Sequence, residues 1–328
     1  MYPQTRLRRL RTTKYLRNLC SETNISVDNL IMPLFFDEGI TDPTPITSMP
    51  GQFRWPLRSV SDIVNKIFND GIHAVLIFGI PLKKDSNASS AFDDNGVVQK
   101  VIREIKKTVP EMVVIADLCA CEYTDHGHCG IVTEYRYGLD LNNDESLKLM
   151  QKIALSQVKA GADIVAPSCM LDGMVMAIRN VLDTNGYEYI PIMSYSTKFA
   201  SALYGPFRDA AGSGYKFGDR NSYQINPSNG REALRESILD RDEGADILMV
   251  KPGIFYLDVL NQVKNIGIPV AAYQVSGEYS MIKAAALNGW IDERKTVMES
   301  MICLKRAGAD MIITYYADDI SRWLKDDK

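Results

Sequence analysis

One short pattern decides the fold: the triplet Gly-Ala-Asp followed by an apolar run, which occurs as GADIVAP (161–167), GADILMVK (244–251) and GADMIITYY (308–316). Each copy follows a segment in which apolar residues recur at helical spacing. Glycine readily takes the left-handed conformation that closes a helix, and a continuous apolar run suits a strand buried on both faces. Each triplet therefore predicts a loop that leads from a helix into a buried strand.

Similar apolar runs elsewhere bring the number of candidate strands to eight. They lie near residues 30–36, 73–80, 112–118, 163–167, 190–196, 246–251, 268–275 and 310–316. Amphipathic segments such as residues 144–160 separate them. Strands that alternate with helices are parallel and joined by right-handed crossovers, and eight such units close a (β/α)8 TIM barrel. We predict an α/β fold in which residues 30–328 form this barrel.

A doubly wound open sheet is the alternative fold, but no GxGxxG follows the first candidate strand and no GxxxxGK[ST] occurs in the sequence. Two segments do not fit the repeat. Residues 1–29 are basic, with no acidic residue before Glu22, and are predicted to form an extended arm. Residues 199–229 follow the fifth strand as a long loop with several glycines and are predicted to be an active-site lid.

Composition excludes several classes of protein. Hydrophobic residues make up 46% and charged residues 24%, which is typical of a globular chain. With 37 basic and 41 acidic residues the net charge is -4, which gives no general reason to bind a nucleic acid. The apolar runs are shorter than the roughly 20 residues that cross a membrane. Six cysteines are too sparse for a disulfide framework, and no apolar signal core opens the chain, so we expect a cytoplasmic protein.

Residues 117–130, DLCACEYTDHGHCG, hold three of the six cysteines and two of the three histidines. Cys119 and Cys121 are two residues apart, so on a regular strand both thiols would point to the same side. Gly127 and Gly130 allow the chain to turn back and bring Cys129 to the same ion. Three thiolates favour Zn²⁺, and the alternative interpretation is three buried, inert cysteines.

Three ligands without a clear fourth favour a catalytic zinc with an open coordination position, because structural zinc sites usually have four protein ligands. His126 or His128 could still supply the fourth ligand. Cys20 and Cys303 are isolated in the sequence and are interpreted as packing residues.

Two lysines stand at the ends of neighbouring candidate strands. Lys198 follows the fifth strand, and Lys251 ends the sixth after four apolar residues. Desolvation and a neighbouring cation would lower the pKa of each, leaving a neutral amine that can attack a carbonyl. The alternative is that both are ordinary surface lysines.

Five motifs carry a resemblance that covers nearly the whole chain: DLCACEYTDHGHCG, YGPFRDAAGS, GDRNSYQ, MVKPG and AYQVSGEYSMI. Together they resemble the zinc-type porphobilinogen synthase family, also called 5-aminolevulinate dehydratase. The resemblance implies a TIM barrel that condenses two molecules of 5-aminolevulinate into porphobilinogen with loss of two waters, a step of tetrapyrrole (haem) biosynthesis.

The same resemblance implies roles at the reacting centre. Lys251 would form a Schiff base with the substrate that becomes the propionate side, and Lys198 with the other substrate. Asp117 would transfer protons. Zinc on the three cysteines would lie near the second substrate's amine and keep it nucleophilic.

Substrate-binding and regulatory residues also follow from the resemblance. Arg208 and Arg220 in the lid would bind one carboxylate, with Gln224 as a further lid contact. Ser276 and Tyr315 would hold the other substrate.

Family members also bind an allosteric Mg²⁺ through a carboxylate that matches Glu236. The arm embraces a neighbouring barrel in this family, which implies a homo-oligomer, an octamer. A transit peptide is the alternative interpretation of the basic arm.

One position departs from the family pattern. The family reads Pro-Ser-Asp after the fourth strand, whereas this chain reads Pro167-Ser168-Cys169, which places a further thiol near the site. Two rival functions remain open. A class I aldolase with one Schiff-base lysine accounts for Lys251 but not for the cysteines, and a zinc-binding barrel without catalysis would serve as an interaction scaffold.

Overall fold

The structure is a computed structural model and describes residues 1–326. Eight parallel strands form its centre. In chain order they are β1 Leu30–Asp37, β2 Ala74–Ile80, β3 Val113–Leu118, β4 Ile164–Pro167, β5 Met193–Lys198, β6 Ile247–Lys251, β7 Val270–Tyr273 and β8 Met311–Ile313. Their side chains are almost all buried, which explains why each strand is apolar on both faces rather than alternating.

The eight strands close into a barrel. The hydrogen-bonded order is β4-β3-β2-β1-β8-β7-β6-β5, and a parallel bridge between Val165 on β4 and Ile192, just before β5, joins the two ends. This arrangement confirms the predicted TIM barrel and excludes the open doubly wound sheet. The carboxyl ends of all eight strands therefore meet at one mouth.

Apart from the first, which lies in the N-terminal arm, the helices surround the barrel and connect its strands. In chain order they are α1 Lys14–Leu19, α2 Val60–Asn69, α3 Val97–Thr108, α4 Asn143–Ala160, α5 Met174–Thr184, α6 Gly205–Ala211, α7 Gly230–Asp242, α8 Leu257–Val263, α9 Ser276–Leu287, α10 Glu293–Ala307 and α11 Ala317–Asp326. Helix α4 begins at the cap Asn142, whose side chain accepts a hydrogen bond from the backbone N–H of Glu145. It covers residues 143–160, close to the predicted 144–160.

The Gly-Ala-Asp triplets connect helices to strands as the sequence predicts. Gly161, Gly244 and Gly308 have φ of 108°, 107° and 128°, the left-handed region in which glycine carries no Cβ penalty. The aspartates of the triplets also form hydrogen bonds that the sequence does not predict. A side-chain oxygen of Asp163, Asp246 and Asp310 accepts the backbone N–H of Val114, Ile192 and Val270, respectively, at 2.7–2.8 Å. Each triplet thus ends a helix and ties the incoming strand to its neighbour.

Strand ends differ from the prediction by a few residues. Strand β5 runs to Lys198, so this lysine lies within the strand and pairs in register with Lys251 on β6. Strand β8 ends at Ile313 rather than near residue 316, because the chain turns at Thr314 and enters α11. Tyr315 therefore lies just past the end of its strand.

Residues 1–29 contain no buried side chain in this structure. They hold a short 3-10 turn at Leu7–Arg11 and helix α1, and the side chains of Leu7, Tyr15 and Leu19 are largely exposed. A two-stranded hairpin, Val132–Tyr135 with Gly138–Leu141, follows the cysteine segment. Among the helices of residues 1–326, none has the length and apolar character of a membrane span.

Candidate active site

A small cavity lies at the barrel mouth and collects six of the twelve site residues that the sequence predicts. Residues of strands β2 to β6 and of the segments that follow them line the cavity. The segment after β5, which is the predicted lid, covers it. The lining residues are Phe78, Asp117, Cys121, Glu122, Ser168, Lys198, Tyr204, Phe207, Arg208, Arg220 and Lys251.

Lys251 is buried at the end of β6 among aromatic rings. Its Nζ lies 4.2 Å from the ring centre of Tyr273, and 4.9, 5.1 and 5.4 Å from those of Tyr195, Phe207 and Tyr204. Burial, and then the charge of Lys198, lower the pKa of Lys251 from 10.5 to about 7. Near neutral pH, Lys251 therefore carries a neutral, nucleophilic amine in a large fraction of the protein molecules.

Lys198 differs from Lys251 in its protonation. Its Nζ donates a hydrogen bond to the carbonyl oxygen of Ser168 at 2.6 Å. Burial lowers the pKa of Lys198, but the negative charges of the nearby cysteine thiolates outweigh burial and raise the pKa above its usual value. The expectation that the two lysines lower each other's pKa is therefore wrong for Lys198, because the charges of Cys129, Cys119 and Cys121 outweigh the effect of burial on its pKa.

Two carboxyl groups face the lysines. Asp117 at the end of β3 accepts a hydrogen bond from Ser168 Oγ at 3.3 Å, and burial followed by the charge of Glu122 raises the pKa of Asp117 to about 7. Glu122 is also buried, its Oε2 lies 3.3 Å from the Sγ of Cys121, and burial is the main cause that raises its pKa. Asp117 can therefore take up or release a proton near neutral pH beside Lys251.

Arg208 and Arg220 bring positive charge to the same cavity. One terminal nitrogen of Arg220 donates to the carbonyl oxygens of Gly127 and Ser213, each at 2.9 Å. The Nε of each arginine is buried and has no hydrogen-bond partner within residues 1–326. Their guanidinium groups lie 5.1 and 5.9 Å from the ring centre of Tyr215. Such a pair is suited to bind a carboxylate.

The three predicted zinc ligands are joined by a fourth cysteine. The Sγ of Cys119 lies 3.2 Å from that of Cys121 and 3.5 Å from that of Cys169, and all four cysteines are buried. Ligand atoms of Cys119, Cys129 and Cys169 lie within 4.8 Å of one another, as do those of Cys119, Cys121 and Glu122. Clustered buried thiols are the donors that Zn²⁺ prefers, so the site fits a zinc ion.

Neither histidine of the cysteine segment joins these ligand groups. Both ring nitrogens of His128 are engaged by the lid: Nδ1 lies 3.1 Å from Tyr223 Oη and Nε2 lies 3.0 Å from the carbonyl oxygen of Phe217. The Nδ1 of His126 accepts the backbone N–H of His128 at 3.1 Å. The option that His128 supplies the fourth zinc ligand is therefore not supported, because the lid uses both of its nitrogens.

The lid, residues 199–229, is tied down at several points. Arg54 Nε donates to the carbonyl oxygen of Ala210 at 2.8 Å, and Lys84 Nζ to that of Gly212 at 2.6 Å. The backbone N–H of Lys216 donates to the carbonyl oxygen of His126 at 3.0 Å. In this structure the lid therefore covers the cavity and contacts the cysteine segment.

Six predicted residues lie outside the cavity lining: Cys119 and Cys129, which belong to the thiol cluster, and Ser276, Tyr315, Gln224 and Glu236. Ser276 accepts the backbone N–H of Phe207 at 2.9 Å and thus holds the lid, and the Tyr315 hydroxyl lies 3.1 Å from that of Tyr273. Gln224 and Glu236 line a second cavity together with Asp140, Asp172 and Glu232. Burial and then the charge of Asp172 raise the pKa of Glu236.

The structure adds lining residues that the sequence analysis does not select. Glu122 lies within the quoted cysteine motif, and Tyr204 and Phe207 lie within YGPFRD, so each was visible in a motif without an assigned role. Tyr195 does not line the cavity, but its ring centre lies 4.9 Å from Lys251 Nζ; its place between Ser194 and Ser196 on β5 indicates no such role in the sequence. Its contact with Lys251 depends on the register between β5 and β6.

Comparison with known proteins gives one consistent result. Residues 4–323 match the family model described as delta-aminolevulinic acid dehydratase. Proteins of that name from Halalkalibacterium halodurans and Archaeoglobus fulgidus are 52% and 51% identical to the chain, over 98% and 99% of both chains. The crystal structure of delta-aminolevulinic acid dehydratase (porphobilinogen synthase) from Toxoplasma gondii ME49, in complex with the reaction product porphobilinogen, superposes with a TM-score of 0.96 at 41% identity, covering 99% of this chain and 93% of that one.

Proposed function

The chain belongs to the delta-aminolevulinic acid dehydratase family, and from that premise we propose how its residues divide the work of the reaction. The protein is a porphobilinogen synthase, a hydro-lyase of tetrapyrrole biosynthesis that joins two molecules of 5-aminolevulinate and releases two molecules of water. One observation supports the division of roles: two lysines in register on neighbouring strands share a cavity with the thiol of Cys121 and two arginines.

Lys251 is the first nucleophile. Its neutral Nζ attacks the ketone carbon of one substrate, and loss of water from the adduct gives an iminium, whose carbon is the electrophile for the later bond formation. Tyr195, Tyr204, Phe207 and Tyr273 surround this nitrogen and exclude water that would hydrolyse the iminium.

Lys198 holds the second substrate. Because it is protonated at rest, it must lose a proton before it attacks the second ketone, and Asp117, which lines the same cavity and has a pKa of about 7, is placed to accept it. Arg208 and Arg220 bind the carboxylate of one substrate, which fixes its ketone in the cavity. Ser276 and Tyr315 hold the other substrate, and Gln224 is a further lid contact, as the family resemblance implies.

Cys119, Cys121 and Cys129 would hold a catalytic Zn²⁺. When bound, the ion supplies Lewis acidity that keeps a neighbouring amine unprotonated and nucleophilic. The three thiols are buried, and the Cys119 thiol lies within 4.8 Å of each of the other two; a soft donor set of this kind favours zinc over magnesium or calcium. Six free cysteines are consistent with a reducing, cytoplasmic compartment.

Glu236 marks a separate Mg²⁺ site. It shares a cavity with three other carboxylates, Asp140, Asp172 and Glu232, and oxygen ligands of this kind suit magnesium. The ion would act allosterically, and Glu236→Gln should remove activation of the enzyme by added Mg²⁺.

A homo-oligomer, an octamer, would cover the N-terminal arm, whose Leu7, Leu10 and Leu19 are exposed in the single chain. The same proposal divides the chain into an arm, residues 1–29, which makes the oligomer contacts, and a barrel domain that begins at residue 30.

Turnover tests this division of roles. Purified enzyme incubated with 5-aminolevulinate should form a pyrrole that an aldehyde reagent detects, and Lys251→Met should form none while keeping its zinc. Lys148→Met changes an exposed lysine on α4 and should turn over normally. A single-lysine aldolase would form no pyrrole, and a scaffold protein would not react at all. Substantial pyrrole formation by Lys251→Met would contradict the role of this residue.

A further inference from the structure

Glu278 is a buried carboxylate that the proposed function does not use. It lies in the first turn of α9 and is 2% exposed. Its Oε1 accepts the backbone N–H of Ile254 at 2.8 Å and that of Phe255 at 3.3 Å. Its Oε2 accepts the backbone N–H of Val275 at 2.8 Å. One carboxylate therefore joins the turn that follows Lys251 on β6 to the loop that follows β7.

We propose that Glu278 is a positioning residue, which fixes the distance between the amine of Lys251 and the carboxylate-binding side of the site at Ser276. Lys251 ends β6 three residues before Ile254, and Ser276 begins α9 two residues before Glu278. This role rests on the proposed function, because it takes Lys251 as the nucleophile and Ser276 as a substrate contact. It goes further by naming what selects the substrate, since a fixed distance favours keto acids of one chain length between ketone and carboxylate.

Three N–H donors on two oxygen atoms make the role specific to a carboxylate. An ionised carboxylate only accepts hydrogen bonds, whereas a glutamine amide has one accepting oxygen and an NH2 group that donates. Both oxygens of Glu278 are used. Glu278→Gln would therefore set its NH2 group against the N–H of Val275, or against those of Ile254 and Phe255. A buried N–H without an acceptor is unfavourable, so the two segments should move apart at this point.

Backbone N–H groups stabilise the ionised form of Glu278. Burial raises its pKa to about 7, and hydrogen bonds from the N–H groups of the two joined segments lower it. The first turn of a helix also favours a negative charge, because the helix dipole is positive at this end. A change at Glu278 therefore acts first on the two segments that it joins.

The turn that Glu278 holds also fits closely against β7. The backbone N–H of Gly253 donates to the carbonyl oxygen of Tyr273 at 2.7 Å. A Cβ at Gly253 would lie 3.1 Å from that oxygen and 3.0 Å from Leu304 Cδ2, which is tighter than ordinary van der Waals contact. Lys251, two residues earlier, therefore depends on this turn for its position.

Two keto acids without an amine test this role on the full-length enzyme. Levulinate is 5-aminolevulinate without its amine, so it can form an iminium at Lys251 but cannot go on to a pyrrole. The longer acid, 5-oxohexanoate, has one more methylene between ketone and carboxylate. Each acid is mixed with the enzyme and cyanoborohydride, and the rate at which the adduct forms on the Lys251 peptide is measured by mass spectrometry.

The ratio of the two trapping rates is the result that matters. In the wild type, levulinate should be trapped faster than 5-oxohexanoate. Glu278→Gln should lower the levulinate rate about 10- to 100-fold and leave the slower rate of 5-oxohexanoate nearly unchanged, because only the shorter acid is aligned at both ends. A purely structural role would lower the melting temperature and leave the ratio as it is.

Two further variants complete the design. Gly253→Ala displaces the same turn by steric contact, keeps the carboxylate of Glu278, and should lower the ratio in the same way. The control Asp310→Asn changes a carboxylate that accepts the backbone N–H of Val270 at the opposite end of β7. It should keep the wild-type ratio even where it lowers the melting temperature.

The outcomes separate this role from the proposed function. A wild-type ratio in Glu278→Gln that is folded by circular dichroism would overturn the positioning role and leave Lys251 as the nucleophile. If Glu278→Gln does not fold, Gly253→Ala decides in the same assay, and a wild-type ratio there would overturn the role. A wild-type enzyme that forms no Lys251 adduct with either acid would contradict the proposed function together with this role.

Discussion

Lys251 should react with 5-aminolevulinate in a pH range where an ordinary lysine hardly reacts. Its burial and the charge of Lys198 lower its pKa from 10.5 to about 7. At pH 7 an ordinary lysine is neutral in about one molecule in 3,000, whereas Lys251 is neutral in about half of them. The structure therefore predicts a gain of about 1,000-fold in the concentration of the reactive amine.

Trapping of the first iminium measures this gain. The enzyme is mixed with 5-aminolevulinate and cyanoborohydride from about pH 5 to about pH 10, and the adduct on the Lys251 peptide is quantified by mass spectrometry. In the wild type the initial rate should rise with pH, pass a midpoint near 7 and then level off, because the neutral amine is the reactive form.

Two variants separate the causes of the shift. Lys198→Met removes a positive charge that repels a proton on Lys251. The pKa of Lys251 should rise, and the midpoint of the trapping rate should move to higher pH. It should stay below 10.5, because burial, the larger cause, remains. Lys148→Met, which changes an exposed lysine paired with Glu145 on α4, should leave the midpoint unchanged. A wild-type midpoint near 10.5 would refute the burial argument, and an unmoved midpoint in Lys198→Met would refute the charge argument.

Further predictions concern the lid, the metal and the arm. Arg208→Ala and Arg220→Ala should each raise KM for 5-aminolevulinate about 10- to 150-fold, because each removes a charge-assisted contact of about 1.5–3 kcal/mol; normal steady-state kinetics in both would show that the lid does not bind the carboxylate. Cys121→Ala should lose zinc on dialysis together with turnover, measured by elemental analysis and pyrrole formation; full zinc content in single variants of Cys119, Cys121 and Cys129 would contradict the ligand assignment. Deleting residues 1–20 should lower the particle mass in light scattering, and an unchanged mass would remove the arm from the assembly.

Local patterns were enough to predict the barrel. Glycine at the end of a helix and a continuous apolar run after it are both local features, and the structure shows them at Gly161, Gly244 and Gly308. The hydrogen bonds of the three aspartates were not predictable, since each joins a strand from elsewhere in the chain.

Within the site, residues at strand ends were predictable and their mutual effects were not. Lys198 and Lys251 follow from where two strands end, but the raised pKa of Lys198 depends on cysteines of the segment that follows β3. His128 is a plausible zinc ligand by sequence, yet Tyr223 and Phe217, roughly 90 residues further on, hold both of its ring nitrogens. To predict contacts between distant segments, one must know the register of the strands and the path of the lid.

Mass spectrometry of the borohydride-trapped enzyme tests the assignment of the two lysines most directly. After incubation with 5-aminolevulinate, the substrate mass should appear on the peptide that contains Lys251, and it should remain there in Lys198→Met although turnover is lost. Lys251→Met should carry no such adduct at this position and should not turn over. An adduct found only on a third lysine, or substantial turnover in Lys251→Met, would contradict the proposed mechanism.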